Sequence, residues 1–372
     1  MMPHYLDANA TEPLRPEAMA AMLDAMATTG NPSSIHRAGR DARRIMEDAR
    51  ESLARGFGGD PADLVFTSGG TEADALAVHA LGTNRRIVVG ATEHDAIRSA
   101  APNAAILPVD RNGVVDIDRL AAMLADGPPA LVCVMLANNE TGTIQPIPAI
   151  AALCRRFGAL LHVDAVQAAG RMPVTLVSDS MAISSHKLGG PAGVGALLLS
   201  AEHSHIPPLI RGGGQERGRR GGTPPVAIIA GFAAAARIAA ADSERDRLGA
   251  LRDSIERAAL AQGAIVCGAG APRLANTTCI ALPNVRADAQ VIALDIDGIS
   301  VSAGSACSSG KVAASHVLQA MGLGALAGQA IRVSLPWNAT TADVEAFADS
   351  YARMAGRMRP SGMTNPMADR AA

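Results

Sequence analysis

The chain has few aromatic residues and no excess of charge of either sign. Aromatic residues make up 2% of its 372 positions, and the formal net charge is −2. Proteins that bind nucleic acid usually carry an excess of basic charge, and those that bind single strands add aromatic rings on which bases stack. The composition therefore gives no support for a direct nucleic-acid partner or for binding to an anionic membrane surface. The core has to be built from Ala, Leu, Ile, Val and Met.

Long apolar runs and paired cysteines are also missing. The most apolar stretch, PPVAIIAGFAAAARIAAA, is interrupted by Arg237, and the N-terminus has no basic region followed by an apolar one. We therefore expect no membrane span and no secretory signal. No CxxC motif occurs, so neither a zinc site nor a disulfide framework is indicated. We expect no bound metal and a reducing, cytoplasmic setting. The five cysteines are Cys133, Cys154, Cys267, Cys279 and Cys307.

Apolar runs alternate with helical patterns between about residues 60 and 200. The runs typical of strands are DLVFTS, RIVVG, AAILPVD, ALVCVML, LLHVDAV, MAISS and GALLLS. This alternation predicts an α/β fold with a mostly parallel sheet covered on both faces, and a ligand beyond the carboxyl ends of its strands. One or two long helices follow, with a boundary near Ala241–Asp242. The later runs IVCG, TTCIALP, ISVSAG and IRVSLP predict a smaller α+β domain.

Five polar side chains follow two neighbouring apolar runs. Asp164 and Gln167 end one run, and Ser184, His186 and Lys187 end the next, before the small residues of KLGGPAGVG. A lysine amine, a carboxylate for a ring nitrogen, and hydroxyl and imidazole groups for a phosphate are what a pyridoxal phosphate (PLP) site needs. A lone lysine there would be a surface residue and a lone aspartate a helix cap. The combination favours a PLP site.

Two glycine-rich segments suggest contacts to a phosphate. In FTSGGTEADAL, Thr71 stands where a helix would begin, and free N–H groups at a helix start bind anions. Ordinary helix capping explains that segment equally well when it is taken alone. The segment RGGGQERGRRGGTPP carries four arginines among glycines, which by itself suggests a phosphate-binding or nucleic-acid-binding loop.

Cys307 differs from the other cysteines in its surroundings. It lies in SVSAGSACSSGK, a run of Ser, Ala and Gly, whereas the other four lie in apolar contexts typical of core residues. We expect Cys307 to be an exposed nucleophile whose pKa is lowered by Lys311 and by the start of the following helix. A cysteine exposed by chance is the alternative.

Ten ordered segments together resemble one known family. They are YLDANATEPLRPEAM, GNPSSIHRAGR, FTSGGTEADALA, TEHDAI, LANNETGTIQPI, HVDAVQAAGR, SSHKLGG, GGGQERGRRGGTPP, SVSAGSACSSGK and IRVSLP. The chain resembles the cysteine desulfurases of the class V aminotransferase family, in the subgroup of the nitrogen-fixation and iron–sulfur assembly enzymes. The resemblance implies PLP fold type I. We predict a large PLP-binding domain over 15–245, a small domain over 1–14 and 246–358, and a disordered tail over 359–372.

The resemblance also implies roles for individual residues. Lys187 would form the Schiff base with PLP, Asp164 would hold the ring nitrogen, His94 would stack on the ring and Gln167 would bond its 3-oxygen. Phosphate ligands would be Gly70, Thr71, Ser184, His186 and, from the partner subunit of a homodimer, Thr223. Asn139 would contact both cofactor and substrate.

Substrate binding is assigned to Arg332, which lies in the otherwise apolar run IRVSLP. By resemblance its guanidinium would bind the substrate α-carboxylate. A structural ion pair is the alternative, because a buried arginine needs an anionic partner.

The implied activity is PLP-dependent L-cysteine desulfuration. The Cys307 thiolate would take the substrate sulfur as a persulfide, alanine would leave, and the sulfur would pass to an acceptor protein. The alternatives are a selenocysteine lyase, a cysteine sulfinate desulfinase or a transaminase of the same fold, a sulfur carrier in which docking matters most, and a PLP-binding protein without catalysis. The chain departs from the family pattern at Ala8 and Glu12, where asparagine and threonine are more usual.

Overall fold

The computed structural model describes residues 4–125, 127–239, 244–304 and 314–358. Its strands are β1 His4–Tyr5, β2 Leu64–Thr67, β3 Arg86–Gly90, β4 Ala105–Leu107, β5 Ala130–Met135, β6 Leu160–Asp164, β7 Ser180–Ser184, β8 Gly195–Leu199, β9 Ile265–Cys267, β10 Thr277–Ala281, β11 Ile299–Ser300 and β12 Ala330–Ser334. Its helices are α1 Pro16–Met26, α2 Arg37–Gly56, α3 Gly70–Leu81, α4 Asp95–Ala100, α5 Ile117–Ala125, α6 Ile147–Arg156, α7 Val226–Ala239, α8 Arg245–Ala261, α9 Ala287–Ile296, α10 His316–Ala320 and α11 Thr341–Met358.

A seven-stranded sheet organises the first part of the chain. Its order is β2-β8-β7-β6-β5-β3-β4, and only β8 runs against its neighbours. Successive side chains of a strand point to opposite faces. In β2, Leu64 and Phe66 accordingly join one hydrophobic cluster and Val65 joins the cluster on the other face. The prediction of a mostly parallel sheet covered on both faces is therefore confirmed.

A second hydrophobic cluster lies outside that sheet. It joins Leu6 to side chains of α8, α9, β10, β12 and α11, among them the fully buried Phe347 and Tyr351. Strands β12, β10 and β9 pair in an antiparallel sheet, and β1 pairs with β11. The N-terminal strand thus packs with elements that follow residue 244. The domain boundaries given above stay a prediction.

The carboxyl ends of β3, β5, β6 and β7 meet at one edge of the large sheet, because these strands are parallel. A hydrogen bond from Arg332 Nη1 of β12 to the backbone oxygen of Asn139, in the loop after β5, brings the smaller sheet near that edge. Cys307, Lys311, the boundary predicted near Ala241–Asp242 and the predicted tail 359–372 lie outside the described residues. Among the helices that the structure describes, none is long and apolar enough to cross a membrane.

Candidate functional site

A cavity of about 440 Å³ opens at the carboxyl edge of the large sheet. Most of the side chains that the sequence assigned to a site line this one cavity: Gly70, Thr71, His94, Asn139, Asp164, Gln167, Ser184, His186, Lys187 and Arg332. They come from the carboxyl ends of β6 and β7, from the segments that follow β2, β3, β5, β6 and β7, and from β12 itself. The fold therefore brings together residues that are up to about 260 positions apart in the sequence.

Lys187 extends its amine into the cavity. Nζ donates to the backbone oxygen of Asn9 at 2.6 Å and to that of Ala10 at 2.9 Å. Burial, with the guanidinium groups of Arg171 and Arg332 nearby, lowers the pKa of the amine to about 8. The uncharged fraction of the amine near neutral pH is therefore much larger than for an ordinary lysine, and the uncharged amine is the form that attacks an aldehyde.

Asp164 ends β6, next to β7, and its carboxylate lies in the cavity wall. Oδ1 accepts from the backbone N–H of Val166 at 2.9 Å. Burial, together with the nearby carboxylate of Asp74, raises the pKa of Asp164 to about 7. A cation placed against this carboxylate would relieve the cost of its buried charge. A protonated ring nitrogen is such a cation.

A set of buried polar groups lies behind Asp164, and the sequence analysis did not find it. His162 has Nε2 3.1 Å from Asp74 Oδ1 and Nδ1 2.8 Å from Ser180 Oγ, with all three side chains buried. Burial lowers the pKa of His162 to about 4 and raises that of Asp74 well above its usual range. Glu93 is also buried, and its pKa is raised by burial and by the two aspartates. The imidazole is consequently neutral near pH 7, and burial favours the protonated form of the Asp74 and Glu93 carboxyls.

The opposite end of the cavity has the features of an anion site. Gly70 is the first residue of α3, which begins after Gly69 as N-cap, so Thr71 lies in the first turn rather than at the cap. A Cβ on Gly70 would come within 2.6 Å of Val166 Cγ2, so glycine keeps this corner open. The buried Oγ of Ser184 has no hydrogen-bond partner, although it lines the cavity. A phosphate at the start of α3 would supply that missing partner.

His186 and His94 occupy different parts of the wall. His186 Nδ1 lies 3.1 Å from Thr11 Oγ1, and burial together with the charge of Lys187 lowers the pKa of His186 to about 4. His94 accepts from the Ala96 N–H through Nδ1 at 3.1 Å, so it caps α4 and lines the cavity at once.

Arg332 is engaged in an ion pair at the edge of the cavity. Nη2 lies 2.6 Å from Asp7 Oδ1, and Nη1 donates to the backbone oxygen of Asn139 at 3.1 Å. The third guanidinium nitrogen, Nε, is buried without a hydrogen-bond partner. The structural ion pair that the sequence left open as an alternative is thus present, and the N–H of Nε is still available to a ligand.

Glu140, His316 and Gly304 also line the cavity, and the sequence analysis assigned no role to them. The Glu140 carboxylate accepts from Ser315 Oγ, which caps α10, and lies close to Gly304. Glu140 therefore lies close to Gly304 and Ser315, two described residues on either side of positions 305–313.

Thr223 is the assigned residue that the fold does not bring to the cavity of its own chain. Its side chain is exposed, and it does not line the wall. The arginine-rich loop before it does approach the anion end, because Arg220 pairs with Glu72 in the first turn of α3 at 2.8 Å. The proposed nucleophile Cys307 lies outside the residues that the structure describes.

Taken together, the wall fits PLP. It offers an amine of lowered pKa, a buried carboxylate suited to a ring cation, and a helix start with an unpartnered serine hydroxyl suited to a phosphate. Among the described residues, no group of three His, Cys, Asp or Glu side chains could hold a metal ion.

Comparisons with known proteins agree with this chemistry. The family model of aminotransferase class-V matches residues 4–347. An IscS-like cysteine desulfurase of Mycobacterium tuberculosis is 39% identical over 392 aligned positions, which cover 98% of this chain and 100% of that protein. A cysteine desulfurase of Cereibacter sphaeroides is 42% identical, with 92% of each chain covered. The crystal structure of a NifS-like protein from Rickettsia africae superposes with a TM-score of 0.88 at 34% identity, covering 95% of this chain and 99% of that one.

Proposed function

The chain belongs to the aminotransferase class-V family, and on that premise we propose that it is a PLP-dependent L-cysteine desulfurase. It converts L-cysteine to L-alanine and passes the sulfur through Cys307 to an acceptor protein. The observation that supports this most is the meeting of Lys187, Asp164 and Ser184 in one cavity at the ends of two adjacent parallel strands.

The ring of PLP would lie between four side chains. Lys187 would bind the aldehyde carbon, Asp164 would pair with the ring nitrogen, His94 would cover a face of the ring, and Gln167 would donate to the ring oxygen. When bound, PLP withdraws electrons from the substrate Cα. The phosphate would lie against Gly70, Thr71, Ser184 and His186 at the start of α3.

The substrate carboxylate would lie against Arg332 and Asn139. The amine of Lys187 then moves the proton at the substrate Cα. The thiolate of Cys307 attacks the substrate sulfur, so a sulfur–sulfur bond forms while the bond from Cβ to sulfur breaks. The net reaction is L-cysteine plus Cys307 thiol giving L-alanine plus Cys307 persulfide. A thiol of the acceptor takes the outer sulfur and regenerates Cys307.

We propose a homodimer in which Thr223 reaches the phosphate of the partner subunit. Two observations support it. Thr223 is exposed and outside its own cavity, and α1 presents Met19, Leu23 and Met26 to solvent with exposures of 50–62%. These three residues follow helical spacing, so they form one apolar stripe, and such a stripe is usually covered by another surface.

We place the protein in the cytoplasm, with its acceptor in an iron–sulfur or thiolation pathway. The four cysteines in the described residues are free thiols, in agreement with a reducing compartment.

The test is the product balance of the purified, PLP-loaded protein. With L-cysteine and a reductant, alanine and sulfide should form in equal amounts, and Lys187→Ala should abolish both. L-selenocysteine and L-cysteine sulfinate serve as competing substrates. Turnover of either with none of L-cysteine would move the chain to the alternative lyases. A protein that takes up no PLP would contradict the proposal altogether.

A further inference from the structure

The guanidinium of Arg171 lies behind the cavity and makes more contacts than an ordinary structural ion pair. Its side chain is 8% exposed. Nη1 donates to the backbone oxygen of Gln167 at 3.3 Å and to Oε1 of the same residue. Nη2 donates to the backbone oxygen of Ala8 at 3.1 Å and to Glu12 Oε2 at 3.0 Å. One planar group thus connects the N-terminal segment to the loop after β6.

Glu12 is the counter-charge that holds Arg171 in place. Its side chain is 5% exposed, and Oε1 accepts from the backbone N–H of Trp337 at 2.6 Å. Removing one member of a buried pair leaves the other charge unsatisfied, which is far more costly than losing an exposed pair. The carboxylate at position 12 and the guanidinium at position 171 therefore depend on each other.

The contact from Arg171 decides the orientation of the Gln167 amide. A glutamine amide has an accepting oxygen on one side and a donating nitrogen on the other. Because Oε1 faces Arg171, Nε2 faces the cavity side, where it donates to the backbone oxygen of Asn9 at 3.0 Å. The same oxygen accepts from Lys187 Nζ at 2.6 Å. The amide donor and the lysine amine are thereby arranged around one acceptor.

Charge adds a second connection between Arg171 and Lys187. Arg171 and Lys187 line one small cavity, and Arg332 lines the larger cavity together with Lys187. Burial and these two guanidinium charges lower the pKa of the amine. Glu12 keeps Arg171 paired on its far side, and Asp7 does the same for Arg332.

We propose that Arg171, held by Glu12, is a positioning residue that fixes the donor side of Gln167 toward the cavity and favours the uncharged amine of Lys187. The statement on Gln167 rests on the proposed function, since the ring oxygen of PLP is what the amide would meet. The statement on Lys187 does not, because it concerns the protein without PLP.

The first experiment measures Lys187 directly in the full-length protein after PLP has been dialysed away. The sequence contains two lysines, Lys187 and Lys311. An amine-acylating reagent and mass spectrometry of the two peptides therefore follow Lys187 with an internal reference. In Arg171→Met we expect the pH of half-maximal labelling of Lys187 to rise by about one unit, because a like charge has been removed, while Lys311 stays unchanged.

Arg273→Met is the matched control. Arg273 pairs with Glu256 at 2.7 Å with a side-chain exposure of 8%, and neither residue lines the cavity. We expect this variant to lower the melting temperature and to leave the Lys187 profile as it was. If Arg171→Met also lowers only the melting temperature, the pair is structural and the proposal fails.

A second variant, Arg171→Lys, separates positioning from charge. It keeps the positive charge, so the pH of half-maximal labelling of Lys187 should stay within about 0.3 units of the wild-type value. A single ammonium cannot span Gln167, Ala8 and Glu12, so the dissociation constant for PLP should rise roughly tenfold. Unchanged PLP affinity in Arg171→Lys would overturn the statement on Gln167, even where Arg171→Met does not fold. A wild-type protein that binds no PLP would contradict the proposed function and leave the labelling result standing.

Discussion

Arg332 and Asp7 form an ion pair at the edge of the cavity, with Nη2 2.6 Å from Oδ1. The arginine comes from β12, and the aspartate follows β1 in the N-terminal segment. Since both residues line the cavity, the carboxylate of Asp7 occupies a guanidinium nitrogen that a substrate carboxylate would use. Substrate binding then requires the guanidinium to be shared between two carboxylates or Asp7 to withdraw.

Arg332→Ala should raise KM for L-cysteine with PLP still bound. A hydrogen bond to a charged group contributes about 1.5–3 kcal/mol, which corresponds to roughly a ten- to hundredfold rise in KM. Asp7→Asn is the matched variant, because it keeps an accepting oxygen and removes the competing charge. We expect KM to fall or stay constant in Asp7→Asn. Steady-state kinetics and the melting temperature distinguish this from a structural ion pair, in which both variants lose stability while KM stays unchanged.

The large sheet and the centre of the site could be predicted because the residues that indicate them, apolar runs and the polar residues that end them, are close together in the sequence. Asp164 and Lys187 directly follow or end strongly apolar runs, and adjacent parallel strands place such ends together. The N-terminal helix α2 was not predicted, because its mean hydropathy is low and its buried residues are mostly small. Its periodic positions Ala42, Met46, Ala49 and Leu53 were the available signal.

The groups behind the site could not be predicted, because their partners are distant in sequence. Asp74 and His162 are 88 positions apart, and Glu12 and Arg171 are 159 apart. Nothing in the residue types of either pair distinguishes a buried polar contact from two solvated side chains. A histidine two positions before Asp164 on the same strand was the one local indication, since alternate residues of a strand share a face.

The raised pKa of Asp164 predicts a dependence of stability on pH in the PLP-free protein. The folded-state pKa is about 7 against an ordinary value of 3.8, so the folded protein binds more protons than the unfolded chain between these values. The contribution of Asp164 is therefore most favourable below pH 3.8 and is lost as the pH rises toward 7. Asp164→Asn has no carboxyl group to ionise, so it does not lose this stability as the pH rises. Relative to wild type it should gain stability from pH 4 to pH 7, by on the order of 4 kcal/mol at most.

Denaturant unfolding of both proteins at several pH values measures this difference. His162 has a lowered pKa of about 4, so its own contribution rises with pH over part of the same range, and the wild-type curve alone is flattened. Both proteins contain His162, so subtracting one free energy of unfolding from the other removes the contribution of His162. A difference that is independent of pH would contradict the assignment of a protonated Asp164.

The proposed dimer predicts complementation between two defective variants. Lys187→Ala lacks the amine, and Thr223→Ala lacks the hydroxyl that we place in the partner's site. A mixed dimer would contain one site with both residues intact, so co-refolding the two variants should recover alanine production that neither shows at the same PLP concentration. Mixing Lys187→Ala with His94→Ala is the control. Those residues line the same cavity of one chain, and a mixed dimer of that pair has no intact site. Recovery equal in both mixtures would count against a shared site, as would an active monomer in sedimentation.

Cys307 should be the residue that receives the sulfur. In the part of the chain that the structure describes, Cys133, Cys154, Cys267 and Cys279 are all buried, and burial raises the pKa of Cys133 and Cys154. A buried thiol of raised pKa is a poor nucleophile, because the thiolate is the reactive form. All four cysteines are buried and none of them lines the cavity, so none is placed to attack a substrate there, and Cys307 is the cysteine that remains.

Cys307→Ala should fold, bind PLP and bind L-cysteine, since Lys187 and Arg332 are unchanged. It should lose alanine and sulfide production, because no thiolate is left to attack the substrate sulfur. Cys154→Ala, which removes a buried thiol of α6, should keep both products and serves as the control. Mass spectrometry after brief exposure of the wild type to L-cysteine, without reductant, should find one added sulfur on the peptide that contains Cys307. Added sulfur on any of the buried cysteines, or full desulfuration by Cys307→Ala, would refute the assignment and favour a lyase that releases sulfur without a protein persulfide.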